Sequence, residues 1–355
     1  MELSKHFYRR SCQYFHNLYR LCSLQSFHSY LTEDSIWTDE QKKFDQLATG
    51  WWDPNGPFAL LHRMNTARIT YLHQQISSND TTAAIPREFI RPIAKTMPVE
   101  LPRVETKATI GSAYKIVTKL IPKAIKHNIS SSSRSIGVSV EKWLTGWRIL
   151  DVGCGGGILA ESLARLGGNV VGIDMSKQAI QEAQRHQRTD PVVATNPIYH
   201  VATAEQLLQQ EQKFDLVMAM EVLEHVRRPD ILLETLCGLL APGGRLIIST
   251  IERTALSFML TIFLAEHLLQ LVPKQTHVWH RLIRRSDIKN WLANCSNVSL
   301  VDCRGVIYLP WYRTWKIMDP GVLWTQQCNY FVTIQKKPQK MACTKTERNI
   351  DKSID

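Results

Sequence analysis

From Trp147 onward, short apolar runs alternate with amphipathic stretches along most of the chain. Arg148–Val152 has the pattern of a buried strand, Gly153–Gly157 that of a tight turn, and the residues that follow that of a helix. Strands that alternate with helices form βαβ units, in which the strands are parallel and helices cover the sheet. The sequence therefore predicts an α/β fold.

The same pattern continues to the C-terminal part of the chain. After the first strand, the predicted strands are Asn169–Ile173, Ile198–Val201, Phe214–Met220, Arg245–Thr250, Val298–Val306 and Tyr330–Ile334. The last two are expected to pair as an antiparallel hairpin. Helices are predicted over Ile158–Leu166 and Glu221–Leu240, and Ser176 is the expected N-cap of another helix.

The glycine-rich turn after the first strand is the first sign of a ligand. Glycine lets the backbone approach a ligand closely, and the N-terminus of the following helix favours negative charge. Asp174, at the end of the second strand, is placed to bind a ribose hydroxyl pair. A dinucleotide fingerprint would need glycine or alanine where the chain has Ile158. Asp151 instead suits the cationic methionine end of S-adenosylmethionine.

A second motif carries two carboxylates and an imidazole. Glu221, Glu224 and His225 have i, i+3 and i+4 spacing, which places them on one face of the predicted helix. That helix would start at the carboxyl edge of the sheet, where open α/β folds bind ligands. The spacing is compatible with a divalent-cation site and equally with a solvated helix start, whose acids the helix dipole favours.

Several motifs resemble one known family. They are Asp151–Leu159, Glu221–Val226, Trp51–Asp53, Leu61–Asn65 with Arg68, Pro273–Lys274, Thr276–His277 and Tyr308–Pro310. Together they are similar to the bacterial and mitochondrial O-methyltransferases of ubiquinone biosynthesis. Many methyltransferases share the glycine turn, but the upstream Trp-Trp-Asp and His-Arg block is specific to this family.

The resemblance implies a class I methyltransferase fold, Rossmann-like, with a seven-stranded, mostly parallel sheet, an antiparallel last strand and helices on both faces. It implies methyl transfer from S-adenosyl-L-methionine to a catechol-type hydroxyl of 3,4-dihydroxy-5-polyprenylbenzoate and of demethylubiquinol. The implied cofactor-binding residues are Arg68, Gly153, Asp174 and Met220. The implied Mg²⁺ ligands are Glu221, Glu224 and His225, and His225 is also the candidate general base.

Two positions depart from the family pattern. The family usually has Asn where this chain has Glu252, and Gly where this chain has Gln275. The alternative function is a non-catalytic or differently specific methyltransferase-fold subunit of a biosynthetic complex. An RNA methyltransferase is disfavoured because the chain has no Asn-Pro-Pro-Tyr base-flipping motif.

The net charge of +11 lies mostly in two regions. The predicted organisation is a mitochondrial transit peptide over residues 1–32, an N-terminal helical cap contributing to the site over 33–75, a basic insertion with Pro and Ser over 76–145, the methyltransferase domain over 146–336, and a disordered tail over 337–355. A surface helix is the alternative for residues 1–32. Outside the two basic regions the chain is nearly neutral, so no nucleic-acid partner is predicted.

The resemblance also implies a location and partners. It places the protein on the matrix side of the mitochondrial inner membrane, as a peripheral protein among other enzymes of the ubiquinone biosynthetic complex. No stretch reaches the roughly 20 apolar residues that a spanning helix needs. The mostly apolar stretch Ala255–Val272 predicts either a buried core helix or a helix lying in the membrane interface.

Overall fold

The computed structural model describes residues 38–77, 142–257, 279–295, 297–319 and 327–338 of the 355-residue chain. Within them, eight strands form one sheet in the order β3-β2-β1-β4-β5-β8-β6-β7. The strands are β1 Arg148–Val152, β2 Asn169–Asp174, β3 Ile198–Val201, β4 Phe214–Met220, β5 Leu240–Ile251, β6 Val298–Leu309, β7 Thr314–Ile317 and β8 Asn329–Lys336.

The strand directions confirm the expected class I arrangement. Strands β1 to β5 are joined by parallel pairings, and β8 lies antiparallel between β5 and β6. The pairing of the two late strands is therefore also confirmed. The edge strand β7 is an addition to the expected seven and pairs antiparallel with β6. It has only four residues, too few for their alternation of exposed and half-buried side chains to stand out in the sequence.

Seven helices surround this sheet in the described part of the chain. They are α1 Thr38–Leu47, α2 Ala59–Ser77, α3 Ile158–Arg165, α4 Lys177–Gln187, α5 Ala204–Gln209, α6 Pro229–Leu239 and α7 Arg285–Asn294. Shorter helical turns occur at Ala48–Gly50, Leu223–His225, Ala255–Ser257, Trp279–Arg281 and Pro310–Tyr312. The Ser176 cap of α4 is confirmed, because its hydroxyl accepts a hydrogen bond from the amide of Ala179 at 3.0 Å.

The helix predicted over Glu221–Leu240 begins later than expected. It starts at Pro229, and the residues before it contain a 3₁₀ turn at Leu223–His225. Proline is favoured in the first helical turn and disfavours helical geometry in the residue before it, so Pro229 sets the start of α6. The positive φ of Glu221, 61°, also prevents a continuous helix from the end of β4.

The central strands are buried on both faces. Leu216 and Met218 of β4 pack on one side with residues of α2 and α3, whereas Val217 and Ala219 pack on the other side with α6. This alternation follows from the two-residue period of a strand. Covering both faces explains why β4 is apolar at nearly every position.

Helix α2 is fixed across the late strands of the sheet. The Thr333 hydroxyl of β8 donates to the Tyr71 hydroxyl at 2.9 Å, and Arg245 Nη1 of β5 donates to the carbonyl of Gln75 at 2.5 Å. Gln75 in turn donates to Asp302 of β6 at 2.6 Å. These contacts hold the part of α2 that carries Arg68. Among the helices described, none is both long and apolar enough to cross a bilayer.

Several sequence-based predictions lie outside the described residues. They concern the transit peptide over 1–32, most of the insertion over 76–145, the apolar stretch Ala255–Val272 beyond Ser257, Gln275, and most of the tail over 337–355. The domain boundaries therefore stay predictions.

Candidate functional site

The glycine loop between β1 and α3 has a conformation that demands glycine. Gly153 and Gly155 have φ values of 66° and 52°, which residues with a Cβ rarely adopt. A Cβ on Gly153 would also lie 2.6 Å from a methyl group of Val222. Neither position therefore accommodates a residue with a side chain.

Asp174 ends β2 beside this loop. One carboxylate oxygen accepts a hydrogen bond from the amide of Gly155 at 2.9 Å, and the other accepts one from the amide of Ser176 at 2.8 Å. Burial raises the pKa of Asp174, while these two hydrogen bonds act against that rise. The two amides thus fix the orientation of the carboxyl group that was predicted to bind ribose.

The Trp-Trp block contacts the glycine loop directly. Trp52 Nε1 donates to the carbonyl of Gly156 at 2.8 Å, and its ring stacks on His186 with a centroid distance of 3.3 Å. The Trp51 ring lies so close to Gly155 that a Cβ there would meet it at 2.3 Å. Sequence reasoning missed this contact. The sequence offers one indirect indication of this contact: the Trp-Trp-Asp block and the glycine loop both resemble motifs of the same family.

A buried group of charges lies behind the loop. Arg68 of α2 is 5% exposed and interacts electrostatically with Glu221, Asp151 and Glu224. Burial lowers the pKa of the guanidinium, and the three carboxylates oppose that effect. Burial also raises the pKa of Asp151 to about 7, although Arg68 acts in the other direction. One guanidinium therefore faces three carboxyl groups.

The carboxyl groups of Asp151 and Glu221 each have one buried oxygen without a hydrogen-bond partner in the described structure. These atoms are Oδ2 of Asp151 and Oε1 of Glu221, and the Nε of Arg68 is in the same situation. Buried polar atoms are nearly always hydrogen-bonded in native proteins, so atoms of this kind indicate a place for a polar ligand. Oxygens with excess negative charge suit a cationic ligand.

The Glu224 and His225 side chains lie in the 3₁₀ turn that follows β4. Glu224 Oε2 accepts a hydrogen bond from the Thr250 hydroxyl at 3.0 Å, and the His225 ring meets the Phe44 ring edge-on, with centroids 5.2 Å apart. In the part of the chain that the structure describes, no three His, Cys, Asp or Glu side chains are grouped so as to hold a metal ion. The helical-face argument for a Glu221, Glu224 and His225 site is wrong, because the helix begins at Pro229.

The predicted cofactor residues come together at one edge of the sheet. Gly153 follows β1, Asp174 ends β2 and Met220 ends β4, and the carboxyl ends of parallel strands meet at the same edge. Arg68 reaches this edge from α2 through its charge interactions with Asp151 and Glu221. Met220 itself is buried in the core.

Helix α1 lies against both ends of this edge. Asp45 accepts a hydrogen bond from the Ser176 hydroxyl at 2.5 Å, next to the Asp174 side, while Phe44 contacts His225 at the other end. Helix α1 therefore contacts both the Asp174 side and the His225 turn of the candidate site, and its role as a cap of the site stays a prediction.

Glu252, one of the two departures from the family pattern, forms an ion pair. Its Oε2 accepts hydrogen bonds from the backbone amide of Arg285 at 3.1 Å and from Arg285 Nε at 2.8 Å. The carboxylate is buried and lies at the first residue of α7, where the helix dipole favours negative charge. The Glu252 carboxylate therefore ties the end of β5 to α7.

Glu252→Ala should lower the free energy of unfolding by about 1–3 kcal/mol, because it leaves the amide and guanidinium of Arg285 without this acceptor. Urea denaturation measures the loss, and Glu252→Asn should recover part of it. Asp230→Ala, which removes an exposed pair with Arg228, is the matched control and should cost less than about 1 kcal/mol. Equal losses in the two Ala variants would contradict a special role for the Glu252 pair.

Comparisons with known proteins agree with this geometry. Residues 150–248 match the family model described as a methyltransferase domain. The chain is 35% identical to the mitochondrial ubiquinone biosynthesis O-methyltransferase of Candida albicans, with 87% of this chain and 88% of that protein covered. It is 32% identical to the Schizosaccharomyces pombe protein of the same name, with 88% and 91% covered. A bacterial relative, from Alkalilimnicola ehrlichii, is 31% identical, with 87% and 96% covered. The chain therefore belongs to the ubiquinone biosynthesis O-methyltransferase family.

Proposed function

We propose that this protein transfers the methyl group of S-adenosyl-L-methionine to one hydroxyl of a catechol-type ring that carries a polyprenyl chain. The proposed acceptors are 3,4-dihydroxy-5-polyprenylbenzoate and demethylubiquinol. The observation that carries the proposal is the arrangement of Asp151, the glycine loop and Asp174 at the carboxyl edge of β1 and β2. Family membership supports the choice of acceptors.

The donor fits the charges of the site. Asp174 would accept hydrogen bonds from the ribose hydroxyls, and Gly153 would let the backbone approach the methionine end. Asp151 and Glu221 offer buried carboxyl oxygens without a partner to the positive charges of the donor. The guanidinium of Arg68 is suited to the donor's own carboxylate, since Arg binds carboxylates with strong, charge-assisted hydrogen bonds. Met220 would line the pocket at the end of β4.

The reaction requires the acceptor hydroxyl to lose its proton before its oxygen attacks the methyl carbon. The new oxygen–carbon bond forms as the sulfur–carbon bond breaks, and S-adenosylhomocysteine leaves. His225, in the turn after β4, is the proposed acceptor of the hydroxyl proton. The Mg²⁺ that the resemblance implies does not fit the described arrangement of Glu221, Glu224 and His225, so no step is assigned to it.

Transfer from labelled S-adenosylmethionine to a short-chain polyprenyl dihydroxybenzoate tests the proposal. We expect one labelled methyl group on a ring oxygen of the product. If the protein binds the donor but methylates no catechol acceptor, the alternative of a non-catalytic subunit is favoured. If it methylates unprenylated catechols equally well, the proposed specificity is wrong.

We also propose a mitochondrial location, with peripheral contact to the matrix side of the inner membrane and to other enzymes of the ubiquinone biosynthetic complex. Relatives named as mitochondrial proteins and the basic, acid-poor sequence of residues 1–32 support it. Import of a reporter fused to residues 1–32 into isolated mitochondria would test the targeting part.

Binding of S-adenosylmethionine should tighten as the pH rises through about 7. Burial raises the pKa of Asp151 to about 7, so its carboxyl group is neutral below that pH and attracts the cationic donor only above it. Affinity should change by up to about tenfold per pH unit below this pKa. Calorimetry across this range measures the slope. Asp151→Asn should remove most of this pH dependence of the affinity. Asp174→Asn should weaken binding of the donor but keep the pH dependence. An unchanged slope in Asp151→Asn would contradict this assignment.

A further inference from the structure

The turn between β6 and β7 exposes two large aromatic side chains. Trp311 is 90% exposed and Tyr312 is 77% exposed, more than any other large hydrophobic side chain in the described residues. Burying such side chains is a main source of stability, so two neighbouring aromatic rings in water require an explanation. We call the exposed turn 310–313 the aromatic tip.

The aromatic tip stands on a rigid base. Just before it, the Tyr308 hydroxyl accepts a hydrogen bond from Arg63 Nη1 of α2 at 2.9 Å. Just after it, Trp315 Nε1 donates to the carbonyl of Leu60 at 3.2 Å, and the rings of Tyr308 and Trp315 pack together with centroids 5.4 Å apart. The hairpin is thus fixed to α2 below the tip, and the exposure of the two aromatic rings is a property of an ordered element.

The tip combines aromatic and basic residues. Arg313 and Lys316 are exposed beside the two rings, and the hairpin segment from Leu309 to Ile317 contains no Asp or Glu. Trp and Tyr are the residues enriched at membrane–water interfaces, where the ring meets the acyl boundary and the polar atom stays in the headgroup layer. Basic residues next to them attract anionic lipid headgroups.

The tip also lies at the edge of the sheet that carries the candidate site. Strand β6 is antiparallel to β8, which is antiparallel to β5, so β6 runs in the same direction as β5 and β4. The carboxyl end of β6, where the tip begins, is therefore at the same edge as Met220. An acceptor with a polyprenyl chain would have its aromatic ring in the candidate site at this edge and its polyprenyl chain in a bilayer.

The geometry points to insertion of the aromatic tip into the headgroup region of an anionic lipid bilayer, next to the entrance for the prenylated acceptor. This inference rests on the proposed function for the identity of the acceptor. A protein partner fits less well, because a stable interface needs roughly 800 Å² from each side. Of the other exposed large hydrophobic residues, Val192, Ile198 and Val201 lie at or near β3, and Leu300 and Val301 lie near the opposite end of β6 from the tip. Among the residues that the structure describes, no other large apolar side chain is exposed beside the tip, and a tip of this kind suits a fluid lipid layer, which adapts to its shape.

The deciding measurement is the depth of Trp311 in phosphatidylcholine vesicles that contain phosphatidylglycerol. Brominated lipids quench the fluorescence of an indole that enters the bilayer. Brominated lipids should quench part of the tryptophan fluorescence of the full chain. In Trp311→Phe, the quenching should be smaller by the contribution of the Trp311 indole. If Trp311→Phe is quenched as strongly as the unchanged protein, Trp311 stays in water and the inference is wrong, whichever other segment binds the vesicles.

Vesicle cosedimentation provides the second test. The double variant Trp311→Ser with Tyr312→Ser should lose about tenfold or more in partitioning, and Arg313→Gln with Lys316→Gln should lose about tenfold on anionic vesicles only. Val192→Ser, which removes an equally isolated apolar side chain that is 71% exposed, should bind as the unchanged protein does. Unchanged vesicle binding of the aromatic variant, with or without loss of a protein partner, overturns the inference.

Activity separates this inference from the proposed function. All of these variants should methylate a water-soluble, short-chain acceptor at the rate of the unchanged protein, and the aromatic variant should be slower with a long-chain acceptor embedded in vesicles. If the unchanged protein methylates neither acceptor, the proposed function fails while the fluorescence result still decides the docking. If the aromatic variant methylates both acceptors at the full rate, the tip does not serve acceptor entry, and that part of the inference fails.

Discussion

Arg68→Ala should lower the free energy of unfolding by about 3–5 kcal/mol near neutral pH, the range found when one partner of a buried ion pair is removed. The guanidinium is the positive charge that faces the buried carboxyl groups of Asp151, Glu221 and Glu224. Without it, those carboxyl groups must either stay charged in a poorly solvated environment or bind protons. Urea denaturation of the variant and the unchanged protein measures the difference.

The pH dependence of this loss has a defined sign. Burial already raises the pKa of Asp151 to about 7, and Arg68 opposes that rise, so its removal raises the pKa further. A folded-state pKa above the unfolded one means that stability is full below the unfolded pKa and is lost as the pH rises to the folded one. The free energy of unfolding of Arg68→Ala should therefore continue to fall as the pH rises above about 7. In that range Asp151 of the variant is still losing its proton, whereas Asp151 of the unchanged protein is already ionised.

Arg68→Lys is the matched control. It keeps the charge but not the planar fork of donors, so it should recover most of the stability and less of the donor affinity. If Arg68→Lys binds S-adenosylmethionine as tightly as the unchanged protein, the predicted contact between Arg68 and the donor is wrong and the residue is structural. A pH-independent loss in Arg68→Ala would instead show that the carboxyl groups find other partners.

The sheet was predictable from the sequence because its strands are short apolar runs with clear ends. The predicted β1 matches the observed Arg148–Val152, and Asp174 ends β2 as expected. Local rules decide such elements, since β propensity, turn glycines and helix caps all act within a few residues. Strand β7 was not predicted, because its four residues, Thr314–Ile317, are too few for a clear pattern before their pairing with β6 is known.

The candidate site was only partly predictable. The sequence identifies Asp151 and Asp174 because their chemistry follows from their place at strand ends. It does not show that Trp52 holds the carbonyl of Gly156, since 104 positions separate the two residues. The helical face proposed for Glu224 and His225 failed for a local reason, since Pro229 moves the helix start beyond both residues.

His225→Ala should reduce the rate of methyl transfer by about 10²–10⁴-fold, the usual contribution of a general base, and leave donor affinity unchanged. Of the proposed donor contacts, Gly153 follows β1 and Asp174 ends β2, while Met220 and Glu221 precede the turn that carries His225. The His225 side chain itself is assigned no donor contact. Single-turnover rates with labelled donor and calorimetry with S-adenosylmethionine give the two quantities. His200→Ala, on the outer strand β3, is the matched control and should change neither.

Chelation then separates the two roles considered for His225. As a base, His225 is needed whether or not divalent ions are present, so EDTA should leave the rate of the unchanged protein intact and Glu224→Ala should retain activity. As a ligand, it acts together with Glu221 and Glu224, so EDTA should stop transfer, Mg²⁺ should restore it, and Glu224→Ala should be as inactive as His225→Ala. The second result would mean that the three side chains move together when donor and acceptor bind. It would also replace the base assignment. We expect the first result, because the described arrangement holds no three-ligand group for a metal ion.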